Sequence, residues 1–86
     1  MKRTAIVILN CNGKALLEQF LPALVKYTPP AEADIIVADN GSTDNSTAFI
    51  FSHYPQIELL VFPRNFGFAE GYNRALVGLK YQYVIL

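Results

Sequence analysis

The sequence predicts an α/β fold in which a mostly parallel sheet lies between two layers of helices, a three-layer arrangement in the order βαβαβαβ. Four stretches are largely apolar and rich in β-branched residues, as strands buried on both faces are. They are residues 4–9, 35–38, 57–62 and 83–86. The intervening segments are long enough to carry helices, which parallel pairing of successive strands requires. The first three strands also run into polar loops that contain glycine.

The first strand ends at Asn10, and a helix follows it. The turn Asn12-Gly13 leads into apolar side chains that recur at helical spacing. These are Leu17, Phe20, Leu21, Leu24 and Val25. Pro22 lies inside this pattern, and because proline lacks a backbone N–H, we expect a kink or a break there. Consecutive prolines at positions 29 and 30 end the element.

Two further helices complete the pattern. After the second strand, a short helix of about ten residues is predicted before Tyr54, with Ser42 or Asp44 as its cap. The third helix is predicted from Phe68 to about Lys80. The sequence ends inside the fourth strand, so we expect residues 1–86 to form one incomplete domain, the amino-terminal portion of a larger one.

Composition excludes several classes of protein. Lysine and arginine together number 7, as do aspartate and glutamate, which argues against a nucleic-acid-binding surface. One cysteine, Cys11, excludes an internal disulfide framework and a zinc site built from several thiolates. The apolar run at residues 5–9 is too short for a signal peptide, and no run approaches the ~20 residues that span a bilayer. We therefore expect a cytoplasmic protein.

Polar loops follow the first three predicted strands. They comprise residues 10–13, 39–44 and 64–67. All should open on one edge of the sheet, where the amino ends of the following helices favour a phosphate-bearing ligand. Asp39 has no partner evident in the sequence, which favours contact with a ligand. One glycine in the first loop does not match the Gly-x-Gly-x-x-Gly of dinucleotide-dependent oxidoreductases, and the Gly-Lys-Ser/Thr of a P-loop is absent.

Three segments resemble the opening motifs of the family 2 glycosyltransferases, in the same order and spacing. They are Val7-Ile8-Leu9-Asn10-Cys11-Asn12-Gly13, Ile36-Val37-Ala38-Asp39-Asn40-Gly41-Ser42-Thr43-Asp44-Asn45-Ser46 and Asn65-Phe66-Gly67-Phe68-Ala69-Glu70-Gly71-Tyr72-Asn73. The resemblance implies a GT-A fold, whose nucleotide-binding half is a Rossmann-like sheet, here a partial domain truncated in the fourth strand. It also implies transfer of a sugar from a nucleotide diphosphate donor with inversion at the anomeric carbon.

The same resemblance assigns binding residues. Asp39 matches the acidic residue that contacts the nucleoside of the donor, and Asn40 helps it to read the base, commonly uracil or thymine, which implies a UDP- or dTDP-sugar. Arg64 could reach the base or a phosphate, and Cys11 stands where many members have an aromatic residue. The predicted nucleotide-binding set is Asn10, Asn12, Asp39, Asn40, Arg64, Asn65 and Gly67.

Catalysis is expected to depend on residues outside this sequence. In this family the ligands of the divalent metal, Mg²⁺ or Mn²⁺, and the catalytic base would follow Leu86. We therefore assign no catalytic or metal-ligating residue here and expect no transfer by this chain alone. The implied role is polysaccharide or cell-envelope glycan synthesis with a glycan or lipid-linked acceptor, in the cytoplasm or peripherally at the inner face of the membrane. The alternative is a non-catalytic nucleotide-binding or assembly fragment. An incomplete sheet also favours self-association.

Overall fold

The computed structural model describes residues 4–77, 79 and 81, and the backbone of residues 83–85. Strands and helices alternate along it. They are β1 (Thr4–Asn10), α1 (Lys14–Lys26), β2 (Ala33–Asp39), α2 (Ser46–His53), β3 (Glu58–Val61), α3 (Phe68–Leu76) and β4 (Tyr83–Ile85). The strands form one sheet in the order β3-β2-β1-β4, and every neighbouring pair is parallel. The predicted α/β class and element order are confirmed.

Alternate residues of β2 are buried in different layers, which gives the fold its three layers. Ile35 and Val37 pack with α1 and α2, in a core whose buried members are Leu17, Leu21, Ile35, Val37, Ile50 and Ile57. On the other face Ile36 and Ala38 pack with Ala75 of α3. An uninterrupted apolar strand fits because helices cover both faces of the sheet.

Three predicted helix features differ from the structure. Helix α1 is continuous through Pro22, so the predicted break is absent. Pro22 is exposed, and so is Glu18, whose carbonyl lacks a backbone N–H donor because of the proline. Helix α2 has eight residues rather than ten. Helix α3 ends at Leu76, because Val77 already has extended backbone angles (φ −62°, ψ 128°). Lys80, where its end was predicted, lies outside the described residues.

None of the helices in the described part of the chain is long and apolar enough to cross a membrane.

At the amino edge of the sheet, the Tyr81 hydroxyl donates a hydrogen bond of 2.8 Å to the Asp34 carboxylate. That bond to an anionic acceptor, together with partial burial, raises the pKa of Tyr81 to about 12. The contact joins the segment before β4 to the start of β2.

Candidate functional site

Three loops meet at the carboxyl edge of the sheet, as predicted. The first loop comprises residues 11–13, the second residues 40–45 and the third residues 62–67. Strand register sets them side by side: Asn10 lies opposite Asp39 in the β1–β2 pair, and Asp39 lies opposite Val61 in the β2–β3 pair. The ladder continues into the loops, because the Asn40 amide donates to the Asn10 carbonyl at 2.7 Å and the Phe62 amide to the Asp39 carbonyl at 2.9 Å.

The Asp39 carboxylate is the centre of this edge and is only 2% exposed. Its Oδ1 accepts a hydrogen bond of 3.0 Å from Asn10 Nδ2, and its Oδ2 accepts one of 3.0 Å from the Ser42 amide. Asn10 in turn accepts at Oδ1 from the Gly13 amide at 3.1 Å, and its Nδ2 also donates to Ser42 Oγ at 3.2 Å. The side chain for which the sequence suggested no partner therefore has partners from two neighbouring segments.

Backbone donors fix the polarity of this network at both of its ends. Gly13 N–H requires Asn10 to present its oxygen there, so Asn10 must present its amide nitrogen to Asp39. Ser42 N–H then requires a second acceptor at position 39. A carboxylate meets both requirements, since it accepts at both oxygens, whereas an amide accepts at one. Each carboxylate oxygen has about two lone-pair sites, so each keeps capacity for one further hydrogen bond.

Asn12 joins the first loop to the second. Its backbone amide donates to Ser42 Oγ at 2.9 Å, and its Oδ1 accepts from the Thr43 amide at 2.7 Å. Asn12 has a left-handed backbone conformation (φ 55°), which asparagine tolerates better than most residues. Its side chain is exposed, so it forms part of the surface at this edge of the sheet.

Asn40 joins the second loop to the third and is 2% exposed. Its Nδ2 donates to Asn65 Oδ1 and to the Gly67 carbonyl, both at 3.0 Å. Its Oδ1 accepts from the Phe66 amide at 2.9 Å. The neighbouring Gly41 lets the two loops touch, because a Cβ there would lie 2.6 Å from the backbone nitrogen of Asn65.

The third loop presents three further exposed members of the predicted set, Arg64, Asn65 and Gly67. The Arg64 guanidinium lies 4.4 Å from the centre of the Phe66 ring, and that of Arg74 lies 3.9 Å from it. Arg74 pairs with Glu70 at 2.8 Å, whereas Arg64 forms no ion pair within the described part of the chain. Arg64 is therefore a cation at this edge that is available to an anionic ligand.

The structure gives other residues of this edge roles that the sequence did not predict. Ser42 does not cap α2; it ties Asn10 and Asn12 to the second loop. Cys11 is exposed and accepts a hydrogen bond from Asn65 Nδ2 at 3.3 Å, which brings the first and third loops together. The stacking of Arg74 on Phe66 had no sequence signal, because it depends on how the third loop meets the start of α3. The Gly-Ser-Thr that follows Asn40 was a usable signal for Ser42.

Asp44 connects the amino ends of two helices. Asn45 occupies the N-cap position of α2 without a side-chain cap bond, and Asp44 supplies the acceptor from one residue earlier, at 3.0 Å from the Ser46 amide. Its carboxylate also accepts from Ser46 Oγ and, at 3.0 Å, from the Lys14 amide that begins α1. The Ser46 hydroxyl, followed by the Lys14 amide, holds the pKa of Asp44 below its ordinary value of 3.8.

This lowered pKa predicts a loss of stability in acid. The folded state prefers the ionised Asp44, so its contribution is fully present above pH 3.8 and is lost as pH falls through the lower, folded-state pKa. We expect Asp44→Ala to destabilise the chain at neutral pH and the difference from wild type to shrink as pH falls below 3.8. Urea denaturation across this range measures it. A difference that stays constant with pH would contradict the assignment.

In the described part of the chain, no group of three or more His, Cys, Asp or Glu side chains is placed to hold a metal ion. The carboxylates of Asp39 and Asp44 are each bonded to protein N–H or O–H groups. These residues do not fit the divalent metal that the family resemblance implies, so no step through a metal is assigned to them.

Comparison with known structures gives the class of fold. The chain is similar to the mannosyltransferase PcManGT from Pyrobaculum calidifontis, solved in complex with GDP-Man and Mn²⁺, with a TM-score of 0.71 and 21% identity. The match covers 91% of this chain and 24% of that one. The fold is Rossmann-like and corresponds to part of a GT-A transferase.

Sequence comparison gives the family. Residues 5–86 match the profile described as Glycosyl transferase family 2, and the chain belongs to this family. It is also 35% identical over 63 residues to the N-acetylglucosaminyl-diphospho-decaprenol L-rhamnosyltransferases of two Mycobacterium tuberculosis strains, CDC 1551 / Oshkosh and ATCC 25618 / H37Rv. These matches cover 73% of the chain and 20% of the relatives, so the chain spans about a fifth of their length.

Proposed function

We propose that this chain supplies the donor-nucleotide-binding half of an inverting glycosyltransferase that uses a nucleotide-diphosphate sugar. The observation that carries the proposal is the hydrogen-bonded joining of three loops around Asp39 at the carboxyl edge of a parallel sheet. Ligands of open α/β sheets bind outside the carboxyl ends of the strands. Membership of glycosyl transferase family 2 supports the same conclusion.

The proposed roles follow from hydrogen-bonding capacity and exposure. Asp39 keeps free lone pairs on both oxygens and accepts the N–H of a uracil or thymine base. Asn10 orients that carboxylate, and the exposed Asn12 lines the nucleotide pocket. Arg64, which lacks an anionic partner within the described residues, binds a phosphate or the edge of the base. Asn65 and Gly67 complete the proposed set beside the same pocket, and Asn40 holds both of them by hydrogen bonds.

For the donor we propose a UDP- or dTDP-sugar, and for the acceptor a glycan or a lipid-linked saccharide of polysaccharide or cell-envelope synthesis. The name of the mycobacterial relatives, which specifies a diphospho-decaprenol acceptor, supports the lipid-linked class. The structural neighbour is in complex with GDP-Man and Mn²⁺, which supports a nucleotide-sugar donor and a divalent metal. Such a metal, Mg²⁺ or Mn²⁺, neutralises the departing diphosphate, and we propose that residues beyond Leu86 hold it.

Calorimetric titration with UDP tests the binding proposal. We expect Arg64→Ala to weaken UDP affinity by about tenfold, the equivalent of one charge-assisted hydrogen bond of about 1.4 kcal/mol. Lys26→Ala is the matched control, since it removes an exposed cation at the far end of α1. Equal affinities of wild type and Arg64→Ala would remove Arg64 from the site. Absence of binding at millimolar UDP and dTDP would leave the non-catalytic assembly fragment as the better function.

We further propose that residues 1–86 form an incomplete domain that does not transfer sugar by itself. We propose that the protein lies in the cytoplasm or peripherally at the inner face of the membrane. The roles proposed for the residues of this edge are to bind and orient a nucleotide, and none of them is the role of a general base. A transfer assay with nucleotide-sugar, acceptor and Mn²⁺ tests the claim. Metal-dependent turnover by the 86-residue chain would overturn it.

Self-association is proposed through the outer edge at β3. Val61 is 64% exposed on this outer strand, and Phe51 of α2 is 79% exposed beside it. A groove of about 310 Å³ lies there, lined by Thr47, Ala48, Phe51, Leu59 and Val61. An apolar edge strand pairs readily with a second copy. We expect light scattering to report a dimer that Val61→Lys converts to a monomer, and a wild-type monomer at all concentrations would contradict this.

A further inference from the structure

The Asn40 side chain, like that of Asn10, uses both of its N–H donors within the protein. Its two N–H groups point to Asn65 Oδ1 and to the Gly67 carbonyl, and its oxygen accepts from Phe66 N–H. An amide group has two N–H donors and one carbonyl oxygen. Because both donors already have partners, the side chain has no donor left for a nucleotide.

Close packing holds the amide in this orientation. A Cβ on Gly71 of α3 would lie 2.8 Å from Asn40 Nδ2 and 3.0 Å from Leu9 Cδ2. A carboxylate at position 40 would direct an oxygen at two acceptors, Asn65 Oδ1 and the Gly67 carbonyl, each 3.0 Å from the present nitrogen. The site therefore requires an amide at position 40, whereas it requires a carboxylate at position 39.

We propose that Asn40 is a positioning residue of the nucleotide site, which acts through the third loop and does not contact the nucleotide. By holding Asn65, Phe66 and Gly67 against the second loop, it sets where Arg64 presents its guanidinium relative to Asp39. This inference rests on the proposed function for its effect on affinity. Its structural part, the coupling of the two loops, stands independently.

The first test measures the loops without any nucleotide. Asn40→Ala removes all three hydrogen bonds, and the isosteric Asn40→Asp keeps only the acceptor for Phe66. The Gly67 amide donates to Asn65 Oδ1, which Asn40 holds in place, so we expect it to exchange its hydrogen at least about tenfold faster in both variants. The Phe66 amide should do so in Asn40→Ala, and the amides of β1 and β2 should be unchanged. Asn73→Ala, on the exposed face of α3, is the matched control. Unchanged exchange in the third loop would overturn the proposal.

A second test uses a double-mutant cycle on UDP affinity. If Asn40 acts through Arg64, the loss caused by Arg64→Ala should shrink from about tenfold in wild type to under about twofold in the Asn40→Ala background. If each substitution lowers UDP affinity by the same factor in either background, the two residues act independently and the proposal is overturned. A loss of affinity without faster hydrogen exchange in the third loop would also overturn it. If wild type binds neither UDP nor dTDP, the proposed function fails, and the exchange experiment alone decides whether Asn40 couples the loops.

Discussion

Asp39→Asn is expected to lower the free energy of unfolding by about 1–3 kcal/mol, the cost of leaving a buried hydrogen-bonding group unpaired. The substitution preserves shape but replaces one oxygen with an NH₂ group. That group must then face Asn10 Nδ2 or Ser42 N–H, both of which are donors. Rotating the Asn10 amide does not help, because it transfers the mismatch to Gly13 N–H. Against a typical domain stability of about 5–15 kcal/mol, the loss is substantial.

Urea denaturation measures this effect, and Glu32→Gln is the matched control. Glu32 is exposed at the opposite edge of the sheet, so its substitution removes a carboxylate charge without touching the network. We expect the control to change stability by less than about 0.5 kcal/mol. An Asp39→Asn variant as stable as wild type would show that the hydrogen-bond polarity around position 39 does not constrain the fold.

Gly41→Ala is expected to have an effect at least as large, about 2–5 kcal/mol. Gly41 has φ +76°, where an alanine costs about 1–2 kcal/mol. The added Cβ would also lie 2.6 Å from the carbonyl carbon of Arg64 and the nitrogen of Asn65, and overpacking of this kind costs about 1–3 kcal/mol. Both neighbours are backbone atoms, so the second and third loops must separate. The variant should therefore also bind UDP less tightly.

Gly67→Ala separates the two causes. Gly67 also has a positive φ, of 81°, but among the described residues no atom other than those of its chain neighbours lies within 4 Å of the Cβ it would gain. This variant carries backbone strain of order 1–3 kcal/mol without a clash. Comparison of the two variants by urea denaturation isolates the contact between the loops. If Gly41→Ala proves as stable as wild type, the loops do not pack as closely as the structure has them.

The sequence predicted the fold well because its evidence is local. An apolar run such as residues 35–38 and a crossover of adequate length are enough to predict a buried parallel strand, and β2 confirms it. Helix ends were predicted less accurately, since the conformation of Val77 ends α3 where the apolar pattern would allow it to continue. The break predicted at Pro22 was wrong for a similar reason. Helix propensity does not reveal that Pro22 is exposed, and its exposed position lets α1 continue.

The partners within the site could not be predicted from the same pattern. The loops that carry Asp39 and Asn40 were identified, but their partners lie 29 positions away at Asn10 and 25 positions away at Asn65. Such pairing depends on strand register and on the close approach at Gly41, neither of which local sequence encodes. The sequence predicted these residues as separate ligand contacts, and the structure shows that hydrogen bonds join them to one another.

The most direct test of the central claim is an NMR titration of the ¹⁵N-labelled 86-residue chain with UDP, dTDP and GDP. We predict saturable shifts of backbone amides at residues 10–13, 39–43 and 64–67, with UDP or dTDP preferred, and no shifts at the amino edge around Ala33. No shift at millimolar nucleotide, or shifts confined to the amino edge, would contradict the account of this edge as a nucleotide-binding site.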